Sequence, residues 1–280
     1  MRLTDRYPRR RAFITGAASG LGRALCRALA ADKWILGMAD IDTDVLDEAA
    51  EEIRSLGGHP RVTALDVRDA EAFRQAADAF AADERGVDLV VNNAGLGAGG
   101  AFEDTTPDDW RAIVDVNLMG VVNGCHAFVP HLKDGGGHLV NIASIAAVAA
   151  GPRMSVYNAT KAGVQALSET LYSELHDADV HVAVVMPAFF ETNIDKNMQG
   201  SAADRKMTRY LTERAEVSAD DVAQYILKKA GRDTIHIIYP RQAKLIWHWK
   251  RLFPTSYVKS MVKRFRSSMR FVERLSGSDS

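Results

Sequence analysis

Tyr157 and Lys161, in the stretch "YNATK", stand four positions apart. On a helix this spacing puts a phenol and an ammonium on one face, a rise of ~6 Å apart. A free tyrosine titrates near ~10 and is a poor base at neutral pH. An ammonium ~4 Å away contributes up to ~4 kcal/mol at an effective dielectric near ~20. That favours the phenolate by nearly ~3 pK units before any cost of desolvation. A tyrosine so tuned can take a proton from an alcohol or give one to a developing alkoxide. Upstream, "NIAS" sets Ser144 at the carboxyl end of a strand, where its hydroxyl can hold a substrate oxygen beside the phenol. A turn or helix cap would use the same serine, and a solvated aromatic–lysine pair the same Y-x-x-x-K spacing.

Such a pair needs a second reactant, and "TGAASGLG", residues 15–22, offers a place for one. Gly16 permits a turn without Cβ obstruction, while Gly20 and Gly22 let the backbone approach a pyrophosphate. The helix that follows, entered through Ser19 and Leu21, presents unpaired N–H groups and a positive dipole end. Three residues separate the first two glycines, unlike the single residue of the common dinucleotide fingerprint. Asp40 ends the second strand, where a carboxylate can accept both hydroxyls of an adenosine ribose and would repel a 2′-phosphate. No lysine or arginine lies in the glycine loop before Gly20 or directly after Asp40, so NAD is favoured over NADP. Asp66 in "LDV" and "NNAG" at residues 92–95 close two further strands. Turn chemistry alone would also select Asn and Gly. All these sites nonetheless fall on the carboxyl edge, where open α/β sheets bind ligands.

The elements that position them alternate from the start. "RAFITG", "WILGMAD", "RVTALDV", "VDLVVNNAG", "GGHLVNIAS", "DVHVAVVMP" and "TIHIIYP" read as strands. Helical patterns lie between them, one opened by Thr43 as a cap and closed by Gly57 and Gly58, another a long helix over 107–132 with Pro107 in its first turn. Strands linked by crossover helices imply parallel pairing, and right-handed crossovers give a Rossmann-type, doubly wound parallel sheet with helices on both faces. Residues 1–240 are expected to form a single dinucleotide-binding catalytic domain, and 241–280 a basic amphipathic extension.

Taken together, "TGxxxGxG", "NNAG", a serine and "YxxxK" resemble the short-chain dehydrogenase/reductase family over about residues 10–195. The resemblance implies that Tyr157 is the general acid/base, that Ser144 positions the reacting oxygen, and that Lys161 lowers the tyrosine pKa and binds the nicotinamide ribose. Asn117, in "VNLMG", matches the member that anchors a proton-relaying water; a core hydrogen bond would explain it too. Asp66 with Val67 matches the adenine contact, and Asn93, with Ala94 and Gly95, the segment held near the cofactor. Pro187, Phe190 and Thr192 in "PAFFET" match the carboxamide grip, although Ala188 stands where the family has glycine. The implied activity is hydride transfer between NAD and a secondary alcohol or ketone. An NADP-linked carbonyl reductase and a catalytically silent nucleotide sensor are the alternatives. Pairing of the helices that hold Asn117 and Tyr157 would give a homodimer or homotetramer.

Met154, Phe189 and Met198 suggest an apolar substrate pocket suited to steroid-like or long-chain molecules, and would equally serve as core. The loop from Phe189 to Ser218 is long enough to act as a lid. With 47% hydrophobic and 25% charged residues, and 35 basic against 36 acidic, the chain suits a soluble protein without a polyanionic partner. Cys26 and Cys125 lack metal-ligand spacing, so no metal is expected and a cytoplasmic setting fits. No run approaches the ~20 apolar residues of a membrane span. Residues 241–280 differ, with ten basic and two acidic residues. Val258, Met261, Val262, Phe265, Met269 and Val272 share one helical face there. Packing on the body or on a neighbouring subunit would use that face, as would peripheral attachment to a membrane. Nucleic acid is not expected, since no recognition motif accompanies the charge.

Overall fold

The computed structural model describes residues 2–192, 194, 198–263 and 265. After the short α1 (Leu3–Arg6), the first half runs β1 (Arg11–Thr15), α2 (Gly20–Ala30), β2 (Ile35–Asp40), α3 (Thr43–Ser55), β3 (His59–Ala64), α4 (Ala70–Asp83) and β4 (Leu89–Asn92). Then α5 (Pro107–Val114) passes through a π-helical turn (Asp115–Met119) into α6 (Gly120–Gly135). The second half continues with β5 (Gly137–Ile142), α7 (Ala146–Ala149), α8 (Ser155–Glu174), β6 (Val180–Pro187), α9 (Ala202–Glu213), α10 (Ala219–Ala230), β7 (His236–Tyr239) and α11 (Arg241–Leu252). Residues 254–263 are also helical.

All seven strands are parallel, in the order β3-β2-β1-β4-β5-β6-β7. The chain leaves β1 toward β2 on one side and returns to β4 on the other, which creates the switch point of a Rossmann-type sheet. Strands β1, β4 and β5 are buried along their whole length, as continuous apolar runs covered on both faces should be. One layer packs α2, α3 and α10 on Ile14, Leu36, Val91 and Val185. The other packs α4, α6 and α8 on Phe13, Val90, Leu139 and Val184. Inside that second layer the Asn92 amide donates to Asn141 at 2.8 Å, and the Asn141 amide to Ser168 at 3.0 Å. These bonds satisfy both NH2 groups and the Asn141 oxygen, while the buried Asn92 Oδ1 is left without a hydrogen-bond partner.

Several boundaries differ from the sequence reading. Asp42, not Thr43, caps α3, its carboxylate accepting from the Val45 amide at 3.3 Å. Strand β3 stops at Ala64, so Asp66 lies two residues past its end. The helix from Pro107 to Gly135 runs 29 residues and is apolar enough to cross a membrane by length and composition. Here its second half packs against α4, β4 and β5 within the fold. Helix α11 docks Ala243, Ile246 and Trp247 on the body. Val258 and Val262 are exposed, whereas Met261 and Phe265 are partly covered. Met269 and Val272 lie outside the described residues.

Candidate active site

A cleft of about 400 Å³ opens along the carboxyl edge of the sheet. At one end the glycine loop forms its floor. Gly16 holds φ +65°, and a Cβ there would lie 2.8 Å from the Asn93 amide and 2.9 Å from the Ala94 Cα. A Cβ at Gly22 would sit 2.0 Å from the Gly16 carbonyl, so this turn closes only without side chains. Gly20 faces the Thr192 hydroxyl across the cleft. Ser19 precedes α2 without a side-chain cap, leaving the first-turn N–H groups of the helix directed at the loop. Asn93 ties the segments together, its amide donating to the Thr15 and Gly16 carbonyls at 2.9 and 3.1 Å. Thr15 Oγ accepts from the Asn93 and Ala94 backbone at 3.0 and 3.1 Å.

Asp40 lines the cleft beyond the loop. One of its oxygens accepts from the Ala18 amide at 3.0 Å and the other from the Asp42 amide at 3.2 Å. Each keeps a lone pair for a further donor. Asp66 and Val67 line the next stretch with Arg68, a residue the motif reading missed although it directly follows "LDV". Arg68 grips the Asp66 carboxylate, with Nε 2.9 Å from both oxygens and Nη2 2.5 Å from Oδ2. That contact holds the carboxyl below its ordinary range and the guanidinium above its own.

At the other end α8 presents Tyr157 in its first turn and Lys161 one turn later. Lys161 Nζ, buried, donates to the Ile142 carbonyl at 3.0 Å and lies 5.8 Å from the Tyr157 ring centroid. Burial pulls its pKa down to about 8. Burial pushes the Tyr157 phenol up, and the hydrogen bond with Ser144 partly offsets the rise. Among the protein's own groups the phenol is therefore held neutral. The sequence reading counted the amine's attraction before any cost of desolvation, and that cost dominates here. The Ser144 hydroxyl accepts from the Ala146 amide at 3.1 Å and reaches the Pro187 carbonyl at 3.5 Å, so its position is fixed from two elements.

Asn117 sits in the π turn, fully buried. Its carbonyl oxygen accepts from the Leu96 amide at 2.7 Å, and its NH2 donates to the Leu96 carbonyl at 2.8 Å. Gly95 is wedged between this amide and the lysine: a Cβ there would lie 3.1 Å from Asn117 Oδ1 and 3.4 Å from Lys161 Nζ. Insertions of this kind cluster at working sites because they re-aim one residue without breaking the helix. Ala188 takes the family's glycine position without positive φ, its amide donating to the Tyr239 carbonyl at 2.9 Å. The backbone thus accepts the Cβ without strain. Pro187, Phe190 and Thr192 line the cleft as expected, joined by Ile41, Leu65, Leu96, Val116 and Ile194.

The three residues proposed for a substrate pocket do not converge on this cleft. Met154 lines a separate hollow of about 280 Å³ with Arg153 and Asp204. Phe189 turns outward at 45% exposure, and Met198 is buried against Gly97 and Gly99. The segment from Phe189 to Ser218, expected to be a loop, holds α9 and pairs with the loop after β4, Gly99 N donating to Gln199 O at 2.9 Å and Gln199 N to Gly97 O at 3.0 Å. Arg153 and Asp204 clamp α9 from the side through two bonds of 3.0 and 3.1 Å. No cluster of metal-ligating side chains occurs among the described residues.

A parallel sheet with its cleft at the switch point and a Ser-Tyr-Lys cluster at one end defines a class, and similarity to known proteins agrees. Residues 10–202 match the short chain dehydrogenase family model. The chain belongs to the short-chain dehydrogenase/reductase family of oxidoreductases. It is 40% identical over 183 residues to the probable oxidoreductase EphD of Mycobacterium tuberculosis, covering 65% of this chain and 31% of that one. It thus spans about a third of the length of that relative. With the putative oxidoreductase SadH of the same organism it shares 33% identity over 252 residues, covering 88% and 91% of the two chains. Among solved structures, a short chain dehydrogenase/reductase from Burkholderia phymatum in complex with NAD superposes with a TM-score of 0.82. The identity is 29%, over 88% of this chain and 95% of that one.

Proposed function

We propose that this protein is an NAD-dependent oxidoreductase that interconverts a lipophilic secondary alcohol and its ketone, with Tyr157 carrying the proton. The observation that carries this reading is the grouping of Ser144, Tyr157 and a buried Lys161 at the end of a cleft whose far end is a glycine cradle. The cradle fits a dinucleotide: uncapped N–H groups of α2 suit a pyrophosphate, and Asp40 suits ribose hydroxyls. When bound, the nicotinamide supplies the hydride acceptor or donor. The protein's part is proton handling and alignment. Ser144 holds the substrate oxygen against the phenol. Tyr157, neutral among the protein's own groups, gives its proton to the developing alkoxide during reduction. For oxidation it must first lose that proton to solvent, a step favoured by Lys161 and by the positive charge of an oxidised nicotinamide. The phenolate then takes the hydroxyl proton. Lys161 adds positive charge beside the phenol and can donate to a ribose hydroxyl. Asn117, by fixing Leu96 next to the lysine, keeps Gly95 and the amine in register.

Asp40 favours NAD, and Arg68 does not overturn that preference while Asp66 occupies its guanidinium on two edges. An NADP reading draws on the same arginine, which lies in the cleft and would suit a phosphate if released. Leu96, Ile194, Ala143 and Phe190 give the cleft an apolar wall, which suits a lipophilic substrate better than a sugar. Two copies joined through α5–α6 and α8 would cover the part of the apolar Pro107–Gly135 helix that the fold leaves open. The test is reduced-nicotinamide absorbance with NAD and NADP separately, across secondary alcohols of rising hydrophobicity. Turnover with NAD that improves with chain length supports the reading. NADP preference supports the second reading, and tight nucleotide binding with no turnover on any alcohol or ketone contradicts both.

A further inference from the structure

Among the described residues, five of the twelve exposed large apolar side chains fall within residues 245–262. They are Leu245 and Leu252 on α11, Phe253 at its end, and Val258 and Val262 on the following helical stretch, each more than half exposed. Leu245 and Leu252 are seven positions apart and form one stripe; Val258 and Val262, four apart, form another. The opposite faces are well anchored. Ala243 is fully buried, Ile246 and Trp247 pack on the body, and Tyr257 is 1% exposed, edge-on to Trp249 at 5.2 Å. The outer apolar surface therefore belongs to an element folded onto the protein, and a patch of this kind calls for a partner.

Charge narrows the choice. Residues 241–280 hold ten lysines and arginines against two acidic residues, leaving 25 against 34 in residues 1–240. Lys259 and Lys263 follow the two exposed valines directly in sequence. Arg251 lies over the Trp247 ring at 4.1 Å and Lys250 over Tyr257 at 5.2 Å, which keeps both cations next to the aromatic cluster. A symmetric contact with a second copy would set this basic patch against itself. An anionic bilayer satisfies both features: acyl chains take Leu252, Phe253 and the valines, and lipid phosphates face the lysines.

We infer that α11 and residues 254–263 form a docking surface for an anionic phospholipid membrane, with Leu252 and Phe253 as the inserted wedge. The acidic body is repelled by the same membrane, so the molecule is oriented as well as attached. Because α11 packs on α7, which follows Ser144, docking brings the lipid surface near the serine end of the cleft.

The inference is independent of the reaction proposed above and is tested without it. The full chain is sedimented with phosphatidylcholine vesicles, with or without phosphatidylglycerol, at low and high salt. Binding to the anionic vesicles at least ~10-fold tighter than to the neutral ones, lost as salt screens the surface, is expected. Leu252→Glu with Phe253→Glu should abolish binding, and Lys259→Gln should weaken it about fivefold. No sedimentation of the wild type with anionic vesicles, or equal binding to both lipids, would overturn the inference. So would light scattering in which the glutamate variant dissociates an assembled particle while the wild type ignores vesicles, since a protein copy would then be the occupant. If the double variant misfolds, the lipid and salt dependence of the wild type still decides.

Discussion

The two edges of the sheet both bury ionisable groups, and they treat them differently. At the amino edge Arg11, 3% exposed, gives Nε and Nη2 to the Asp88 carboxylate at 3.0 and 2.8 Å. Its Nη1 serves the Glu84 and Arg85 carbonyls. Nearby, His181 is held by Asp233 at 2.7 Å and by Arg6, and lies tilted against the buried His138, ring centroids 5.9 Å apart. At the carboxyl edge Lys161 donates to one carbonyl and, among the described residues, meets no carboxylate, and burial draws its pKa to about 8. A buried cation neutralised by a full carboxylate fork serves architecture. One held by a single carbonyl at the wall of a cleft remains able to respond to what enters.

The largest effect expected from breaking this contrast is on stability. Asp88→Ala leaves Arg11 charged and buried and should cost about 3–5 kcal/mol in urea unfolding, while nucleotide affinity of the folded protein is unchanged. A loss below ~1 kcal/mol would mean that the amino-edge pair is not structural. Ser144→Ala should do the reverse, lowering turnover about 100- to 1000-fold with the melting temperature unchanged. Asp40→Ser should shift the ratio of NAD to NADP affinity about tenfold toward NADP, a change of ~1.4 kcal/mol, measured by titrating both nucleotides.

A pH series sharpens the contrast further. Burial lowers His138 to about 3, below its ordinary value, so the unfolded chain binds that proton first. Stability from this group is complete above ~6.5 and falls as pH drops toward 3, by up to about 1.4 kcal/mol per pH unit. Lys161, also lowered, works at the other end: stability rises as pH climbs from about 8 toward ~10.4. Unfolding measured across pH should lose its acid limb in His138→Leu and its alkaline limb in Lys161→Met.

How much of this was legible in the sequence depends on how local each signal is. The alternating strands and helices, the glycine loop and the Tyr157–Lys161 spacing are short-range patterns, and the structure brings all of their cleft residues to one edge. Asn117 was visible as a polar residue in an apolar helix, but the π turn that aims it leaves no mark on periodicity. Met154, Phe189 and Met198 were grouped by apolar character, which does not tell a pocket wall from core or from outward-facing surface. The amino-edge cluster went unseen because Arg6, His138, His181 and Asp233 meet only through the sheet register, across more than two hundred positions of chain. The opposing effects of burial and charge on the phenol could not be weighed without knowing how deeply Tyr157 lies.

The most direct test of the central claim is hydride transfer and nucleotide binding measured side by side in the wild type and Tyr157→Phe. If the phenol carries the proton, NAD affinity and the unfolding midpoint stay close to wild type while turnover falls about 100- to 10,000-fold. Turnover within a few-fold of wild type would contradict the account, because the Ser144–Lys161 end of the cleft would then be moving that proton without its tyrosine.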